Sequence, residues 1–331
     1  MKRHGNLYHK ITDYDNLLLA FKKSRKGKGW QDTIARFEKN LDENLLSIQK
    51  MLVEKTYKTS PYTEMIIHEP KKRTIYKLPF YPDRIIHHAL MNVIEPIWDS
   101  LFIDTSYACR KGKGLHGGSR KVMDYIRKNK GGYCLKMDIS KFYPSVVHHT
   151  LFDIVKRKIK CKDTLWLFKQ IIYSIDGGKN VPIGNYTSQW LGNLYLNELD
   201  QYLKHEHRIK YYVRYCDDFV VIHQCKKYLG ELREFIRSFI KEKLALVFSK
   251  CDLFSLKQGI DFLGYRHFYN YILLRKSTAK RIRRRLKILP KQLATGEINE
   301  EQHRSVIASI SGWLRWANSY HLQNKLGLAN V

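Results

Sequence analysis

The sequence predicts an α+β fold, and three observations carry that reading. Helical periodicity fills both ends of the chain, and β-branched and aromatic segments occupy its middle. Within that middle block, two short carboxylate-bearing stretches each follow an apolar run. The 331 residues suffice for two or three compact subdomains with an ample core.

Taken in order, residues 1–57 place Leu17, Leu18, Leu19 and Phe21, then Ile34, Phe37, Leu41, Leu45, Ile48 and Leu52 at helical spacing. From Tyr62 to Ile75 the pattern changes to strands, with Pro70, Lys71, Lys72 and Arg73 as a cationic hairpin tip. A helix starts near Pro82, with Asp83 as its expected cap. Residues 107–118, YACRKGKGLHGG, form a loop of three cations and four glycines, without the spacing of a nucleotide-binding P-loop. A strand leads into Asp138, and residues 150–176 read as helices with a basic face. Gly184 permits a tight backbone approach; Ser188 reads as the cap of a helix carrying Leu191, Leu194, Tyr195, Leu196 and Leu199. Tyr211–His223, YYVRYCDDFVVIH, reads as a tight β-hairpin with Asp217 and Asp218 at its turn. An amphipathic helix (229–244), a short strand (246–249) followed by Lys250, and a hairpin around 261–275 come next. Residues 277–331 read as a separate helical subdomain whose run STAKRIRRRLKIL concentrates cations around Ile282, Leu286 and Leu289.

Composition names a partner class. Lys and Arg number 60 against 31 Asp and Glu, a net charge of +29, which points to a polyanion, nucleic acid before an anionic membrane surface. The loop SRKGKGW at 24–30 reads equally as a solvated connector or as a contact to a template strand. No apolar run approaches the ~20 residues that cross a bilayer, and the basic N-terminus lacks the apolar stretch of a secretory signal. Six scattered cysteines without a CxxC pair argue against zinc and a disulfide framework, and for a reducing, cytoplasmic setting.

The chemistry lies in the carboxylates. Magnesium binds a few carboxylates together with water and substrate phosphates, so aspartates on neighbouring strand ends suit a two-metal attack of a hydroxyl on a nucleoside triphosphate. A solvated turn is the competing reading of an isolated Asp-Asp pair; the second aspartate stretch and the apolar flanks turn the balance.

At these residues the sequence resembles the reverse transcriptases. Tyr215-Cys216-Asp217-Asp218 matches their Tyr-x-Asp-Asp box, and Asp138 with Phe142-Tyr143 matches the first catalytic aspartate and its aromatic neighbours. Ile183-Gly184-Asn185-Tyr186-Thr187-Ser188-Gln189 stands where most of the family carries Gln-Gly-x-x-x-Ser-Pro. That departure, with the YACRKGKG box, resembles the enzymes of diversity-generating retroelements.

The resemblance implies a right-hand polymerase. Fingers would occupy 1–132, a palm with a small antiparallel sheet 133–275 (its 150–182 helices packing against the fingers), and a short helical thumb 276–331. Asp138, Asp217 and Asp218 would be catalytic, and these with the Ile139 carbonyl would hold two Mg²⁺, Mn²⁺ being a possible substitute. Lys71, Arg73, Tyr143, Ile183 and Gly184 would bind the nucleotide, with Tyr143 beneath the sugar. Phe262, Leu263, Gly264 and Tyr265 would grip the primer; Arg110, Lys111, Lys113, Lys280, Arg281, Arg284 and Arg285 would touch nucleic acid.

Ile183 and Gln189 replace Gln and Pro of the common pattern. Loss of an amide able to hydrogen-bond near the nascent pair predicts low fidelity; the class errs chiefly opposite template adenine, which these residues do not themselves explain. Such an enzyme, bacterial or phage-encoded, copies a template-repeat RNA into mutagenised cDNA from dNTPs and works with a small, basic, pentameric accessory protein. The rivals are a retron- or intron-type reverse transcriptase of ordinary fidelity and a non-catalytic RNA-binding scaffold, which would have no need of three aspartates.

Overall fold

The computed structural model describes residues 3–68 and 72–328. In chain order the elements are α1 (Tyr8–Thr12), α2 (Tyr14–Arg25), α3 (Asp32–Lys39), α4 (Leu41–Val53), β1 (Thr63–Ile67), β2 (Arg73–Lys77), α5 (Ile85–Asp99), α6 (Leu115–Lys128), β3 (Tyr133–Ile139), α7 (Phe142–Ser145), α8 (His148–Lys158) and α9 (Lys162–Ile172). There follow α10 (Tyr186–Gln201), β4 (Tyr212–Tyr215), β5 (Asp218–His223), α11 (Lys226–Leu244), β6 (Phe248–Ser255), β7 (Ile260–Phe262), β8 (Tyr265–His267), β9 (Ile272–Leu274), α12 (Lys276–Ala294), α13 (Glu300–Arg315) and α14 (Tyr320–Lys325). The chain is α+β, as the sequence predicts, and its contacts divide it into two interleaved units.

The first unit comprises Met1–Ile103, Ile139–Arg208 and Ile236–Ser249. At its centre are α5, which is mostly apolar, and α10, which buries Thr187, Ser188, Asn193, Asn197 and Asp200 beside its Trp, Leu and Tyr side chains. Ile86, Leu90, Ile94 and Trp98 of α5 are fully buried, and Trp98 stacks on Phe168 of α9 with ring centroids 5.3 Å apart. Asp83 does not cap α5. Its carboxylate is fully buried and accepts from Tyr57 Oη (2.8 Å) and from the Ser60 backbone N–H (3.1 Å), so it ties the preceding loop to the helix start. Ser188 likewise lies inside α10 rather than at its cap; its Oγ donates to the Pro182 carbonyl at 2.6 Å. Both polar groups bond to the segments that lead into the helices instead of capping them. β1 and β2 pair antiparallel, Thr63 opposite Lys77 and Ile67 opposite Arg73.

The second unit comprises Asp104–Asp138, Ile209–Phe235 and Lys250–Val331. Its main sheet has the order β4-β5-β3-β6, with β4 and β5 forming the expected hairpin. The edge of β4 is met by a parallel bridge between Ser106 and Arg214: the Arg214 N–H donates to Thr105 O and the Tyr107 N–H to Arg214 O, both at 3.0 Å. Strand β6 is longer than the sequence suggested and starts later. Left-handed Ala245 (φ 51°) turns the chain out of α11 and the Leu246 N–H closes on Ile240 O, so Lys250 lies within the strand. Val122, Ile126, Cys134, Val213, Val220, Ile222, Ile260 and Phe262 pack α6 against the strands.

The small sheet β7-β8-β9 carries the C-terminal helices α12–α14, whose own core is Ile282, Ile310, Leu314 and Leu328. Trp313 of α13 stacks on Tyr265 at 5.2 Å, and Asn318 exchanges hydrogen bonds with Ile272 through its N–H (2.8 Å) and its Oδ1 (2.9 Å). A buried polar chain reinforces this joint: Trp316 Nε1 donates to Ser119 Oγ (2.8 Å), Ser119 Oγ meets His267 Nε2 (2.7 Å), and His267 Nδ1 meets Ile260 O (3.1 Å). Every donor in it is satisfied if the imidazole is neutral with its proton on Nδ1, and burial depresses the His267 pKa to about 4.

Candidate active site

The second unit brings the three aspartates together. Asp138, near the end of β3, lies opposite Asp218, the first residue of β5. Tyr215 also pairs with Asp218 across the hairpin, leaving Cys216 and Asp217 as a two-residue loop. Cys216 has φ +52°, and a positive φ at the first loop position gives a turn whose twist matches the strands it joins. Pairing alternates side chains between the faces. Along β3, Lys136 and Asp138 are half-buried, whereas Cys134, Leu135, Met137 and Ile139 are buried.

Lys136 is the residue the sequence reading missed. No cation stands on the Asp-Asp turn itself, but Lys136 Nζ on the adjacent strand lies 3.5 Å from Asp218 Oδ1. The signal was its i,i+2 relation to Asp138, which puts both on one face once the strand is drawn. At that distance the lysine offers charge without a hydrogen bond, and Asp218 Oδ1 is buried with no hydrogen-bond partner. Burial raises the Asp218 pKa to about 6; the Lys136 ammonium opposes the shift, and the charges of Asp138 and Asp217 add to it.

This donor set fits a hard divalent cation. It is all oxygen, and one buried carboxylate oxygen lacks a hydrogen-bond donor. Among the described residues no three His, Cys, Asp or Glu side chains form a ready-made metal cage. Magnesium seldom uses such a cage, preferring one or two carboxylates with water and substrate phosphates.

Other predicted residues of this unit fall into two groups. Lys113 Nζ is engaged by Asp104, at 2.5 Å from Oδ1 and 2.9 Å from the carbonyl, and Arg110 Nη1 donates to Ser106 O at 3.0 Å. Both cations therefore help to shape the Gly-rich loop, while Lys111 is exposed. Lys280, Arg281, Arg284 and Arg285 are exposed on α12, whose opposite side buries Ile282 and Leu289. Phe262, Leu263 and Tyr265 are buried in the core of this unit, and Gly264 between them is half-buried. Gly264 has φ +84°, and a Cβ there would stand 2.7 Å from Trp313 Cζ3.

The first unit holds the residues expected at the nucleotide. Lys71 lies outside the described residues, and Arg73 opens β2. Ile183 is half-buried, and its carbonyl accepts from the Tyr76 N–H at 2.8 Å. Gly184 adopts φ +120°, and a Cβ would approach Ile75 Cγ2 and Tyr76 O to 2.9 Å each. Only glycine allows that closeness in that conformation. Gln189 is exposed on α10. Phe142 and Tyr143 lie in the short helix α7, entered through left-handed Lys141 (φ 42°), so helical geometry separates their side chains. Phe142 is buried and Tyr143 half-buried, and both rings press on Gly192, where a Cβ would stand 3.0 Å from Tyr143 Cε1 and 3.1 Å from Phe142 Cε1. Ile139 ends β3 with its side chain buried.

An antiparallel sheet that presents carboxylates from a hairpin turn and the neighbouring strand gives this α+β chain the arrangement of a right-hand polymerase fold. The family described as reverse transcriptase (RNA-dependent DNA polymerase) matches residues 67–267, and the chain belongs to it. Protein YkfC of Escherichia coli K12 is 28% identical over 235 residues, covering 57% of this chain and 61% of YkfC. The group II intron-encoded protein LtrA of Lactococcus lactis subsp. cremoris is 25% identical over 219 residues, covering 60% of this chain and 35% of LtrA. The chain thus spans less than two thirds of either relative's length. It also superposes on apo telomerase from Candida tropicalis, truncated from its C-terminal domain, with TM-score 0.48 and 13% identity over 70% of this chain and 60% of that one. Among the described residues no helix is long and apolar enough to cross a membrane.

Proposed function

We propose that this chain is an RNA-directed DNA polymerase, and the observation that carries the reading is Asp138 facing Asp218 across β3 and β5 with Asp217 in the adjoining turn. Asp138 and Asp217 would hold the magnesium ions, with the Ile139 carbonyl as a further oxygen and Asp218 completing the charge. When bound, the metal would supply activation of the primer 3′-hydroxyl and neutralise charge on the triphosphate. The chain's own residues do the rest. Lys136 moderates the carboxylate charge before substrate arrives. Tyr143, held by Gly192, would back the sugar, and the cations of α12 would follow the duplex backbone.

Within that activity we place the chain in the diversity-generating, low-fidelity class, acting with RNA template, dNTPs and a small basic accessory protein in a cytoplasmic setting. Support comes from residues 107–118 and 183–189, above all from Ile183 in place of a hydrogen-bonding amide. A second reading, an intron-type enzyme of ordinary fidelity, is favoured by the kinship with LtrA.

Magnesium-dependent primer extension on an RNA template, run beside Asp217→Ala with products sequenced, tests both levels. Extension lost in the variant, with errors concentrated at template adenines, is the expected result. Accurate extension would retain the polymerase and remove the mutagenic class. No extension, with or without an accessory protein and cognate RNA, would leave the scaffold.

A further inference from the structure

The main sheet of the second unit has an end remote from its carboxylates. Tyr133 pairs with His223 there, five residues along β3 from the Asp138–Asp218 pair, a separation of about 17 Å. Four segments converge on that end. The Leu256 N–H donates to Gly132 O at 2.9 Å, and a Cβ on Gly132 would stand 2.8 Å from His223 O. Arg266 Nε donates to Gln258 O at 3.0 Å, and a Cβ on Gly259 would stand 2.7 Å from Phe268 Cε1. Lys130 Nζ closes the ring of contacts, 5.4 Å from the Tyr269 ring centroid. All of these residues belong to the second unit.

Charge and aromatic rings coincide here. Residues 127–132, 223–228, 256–259 and 266–271 carry seven Lys and Arg and no Asp or Glu. Arg127, Lys130, Lys226, Lys227, Lys257 and Arg266 are exposed. Asp124, one turn back on α6, is taken by Lys128 at 3.0 Å. Beside these cations Tyr269 and Tyr271 are 39% and 42% exposed, and Phe268 stacks on Tyr271 at 4.7 Å. Cations alone fit any polyanion, whereas rings open to solvent fit a polyanion with unpaired bases.

We propose that this end of the sheet is an exosite for single-stranded RNA. Tyr269 and Tyr271 stack on unpaired bases, while Lys130 and the flanking cations hold the phosphates. The choice of RNA rests on the polymerase reading; the stacking and charge chemistry does not. A template tethered at the exosite stays close to the carboxylates between additions, because a linked contact raises its effective concentration there.

Full-length protein in EDTA is titrated with a fluorescein-labelled, unstructured single-stranded RNA, and separately with an RNA duplex. Thermal melts confirm that each variant folds. The double variant Tyr269→Ala/Tyr271→Ala should weaken single-strand binding about tenfold or more and duplex binding far less. Tyr269→Phe/Tyr271→Phe, which keeps both rings, should retain wild-type affinity. Lys130→Gln should reduce the slope of log affinity against log salt by about 0.7, the loss of one phosphate contact. Iodouridine-substituted RNA should crosslink to the peptide spanning residues 266–271. In primer extension the alanine pair should raise KM severalfold for a template with a long unpaired tail, with kcat little changed. Equal loss of duplex and single-strand binding, or no loss of either, overturns the proposal, as does crosslinking confined to other segments. Capture on phosphatidylserine vesicles, lost in the alanine pair while RNA binding is not, would make this end a membrane surface and overturn it too. Protein that extends no primer yet keeps its tyrosine-dependent RNA binding counts against the polymerase reading alone.

Discussion

The two units build their candidate sites by opposite means. In the first, Gly184 and Gly192 let Ile75, Tyr76, Phe142 and Tyr143 close in until no room remains for a methyl group, so shape is fixed by packing. In the second, three carboxylates and Lys136 gather at the rim of a sheet, where Asp218 is held at a pKa of about 6 by burial. One arrangement spends apolar contact to set a surface; the other keeps electrostatic tension in reserve for a ligand. A packed site should fail through stability, and a charged site through chemistry alone.

The largest effect expected of that contrast is at the turn. Asp217→Ala should reduce primer extension by about 10²–10³-fold or more, as loss of a charge-stabilising group does, while circular dichroism and the denaturation midpoint stay at wild-type values. A large loss of stability would show that the carboxylate turn is structural and break the comparison. Gly184→Ala should behave in the reverse manner. Its Cβ meets backbone oxygen as well as a side chain at a positive φ, so about 2 kcal/mol or more of stability should be lost, visible in urea unfolding.

A gentler change sharpens the contrast. Gly192→Ala asks the Tyr143 ring to give by a few tenths of an ångström. A several-fold rise in KM for dNTP, with kcat little changed, should follow if that ring backs the sugar; unchanged kinetics would remove Tyr143 from the site. The smallest effect concerns acid. His87 in the first unit and His267 in the second are buried with pKa values near 4, chiefly through burial. Their folded values lie below the ordinary ~6.5, so the unfolded chain binds more protons between those limits. Stability should therefore fall as pH drops from about 6.5 to about 4 and level off below. His267→Gln, keeping polar contacts to Ser119 and Ile260 while removing the titration, should flatten part of that slope in pH-dependent thermal melts.

Much of this was legible in the chain. The β4–β5 hairpin follows from aromatic and β-branched flanks around two polar residues, and α5, α10 and α11 from their apolar spacing, because such signals are local. What stayed hidden depends on partners that no local pattern assigns. Asp83 resembles a cap until Tyr57 and Ser60 claim it, and Ser188 until Pro182 does. Lys136 becomes part of the site only through the register that seats β3 against β5. Lys113, expected at nucleic acid, also pairs with Asp104, which its spacing alone does not reveal. The site's carboxylates are a matter of sequence, and its countercharge a matter of register.

The bridge at Arg214 has one more consequence. An outer strand of a sheet offers unpaired N–H and C=O groups on which a second molecule's strand can grow. Here Thr105 and Tyr107 take up both backbone groups of Arg214, at the middle of the short strand β4. The loop beside the Cys216-Asp217 turn therefore also denies neighbouring molecules a template for intermolecular sheet growth.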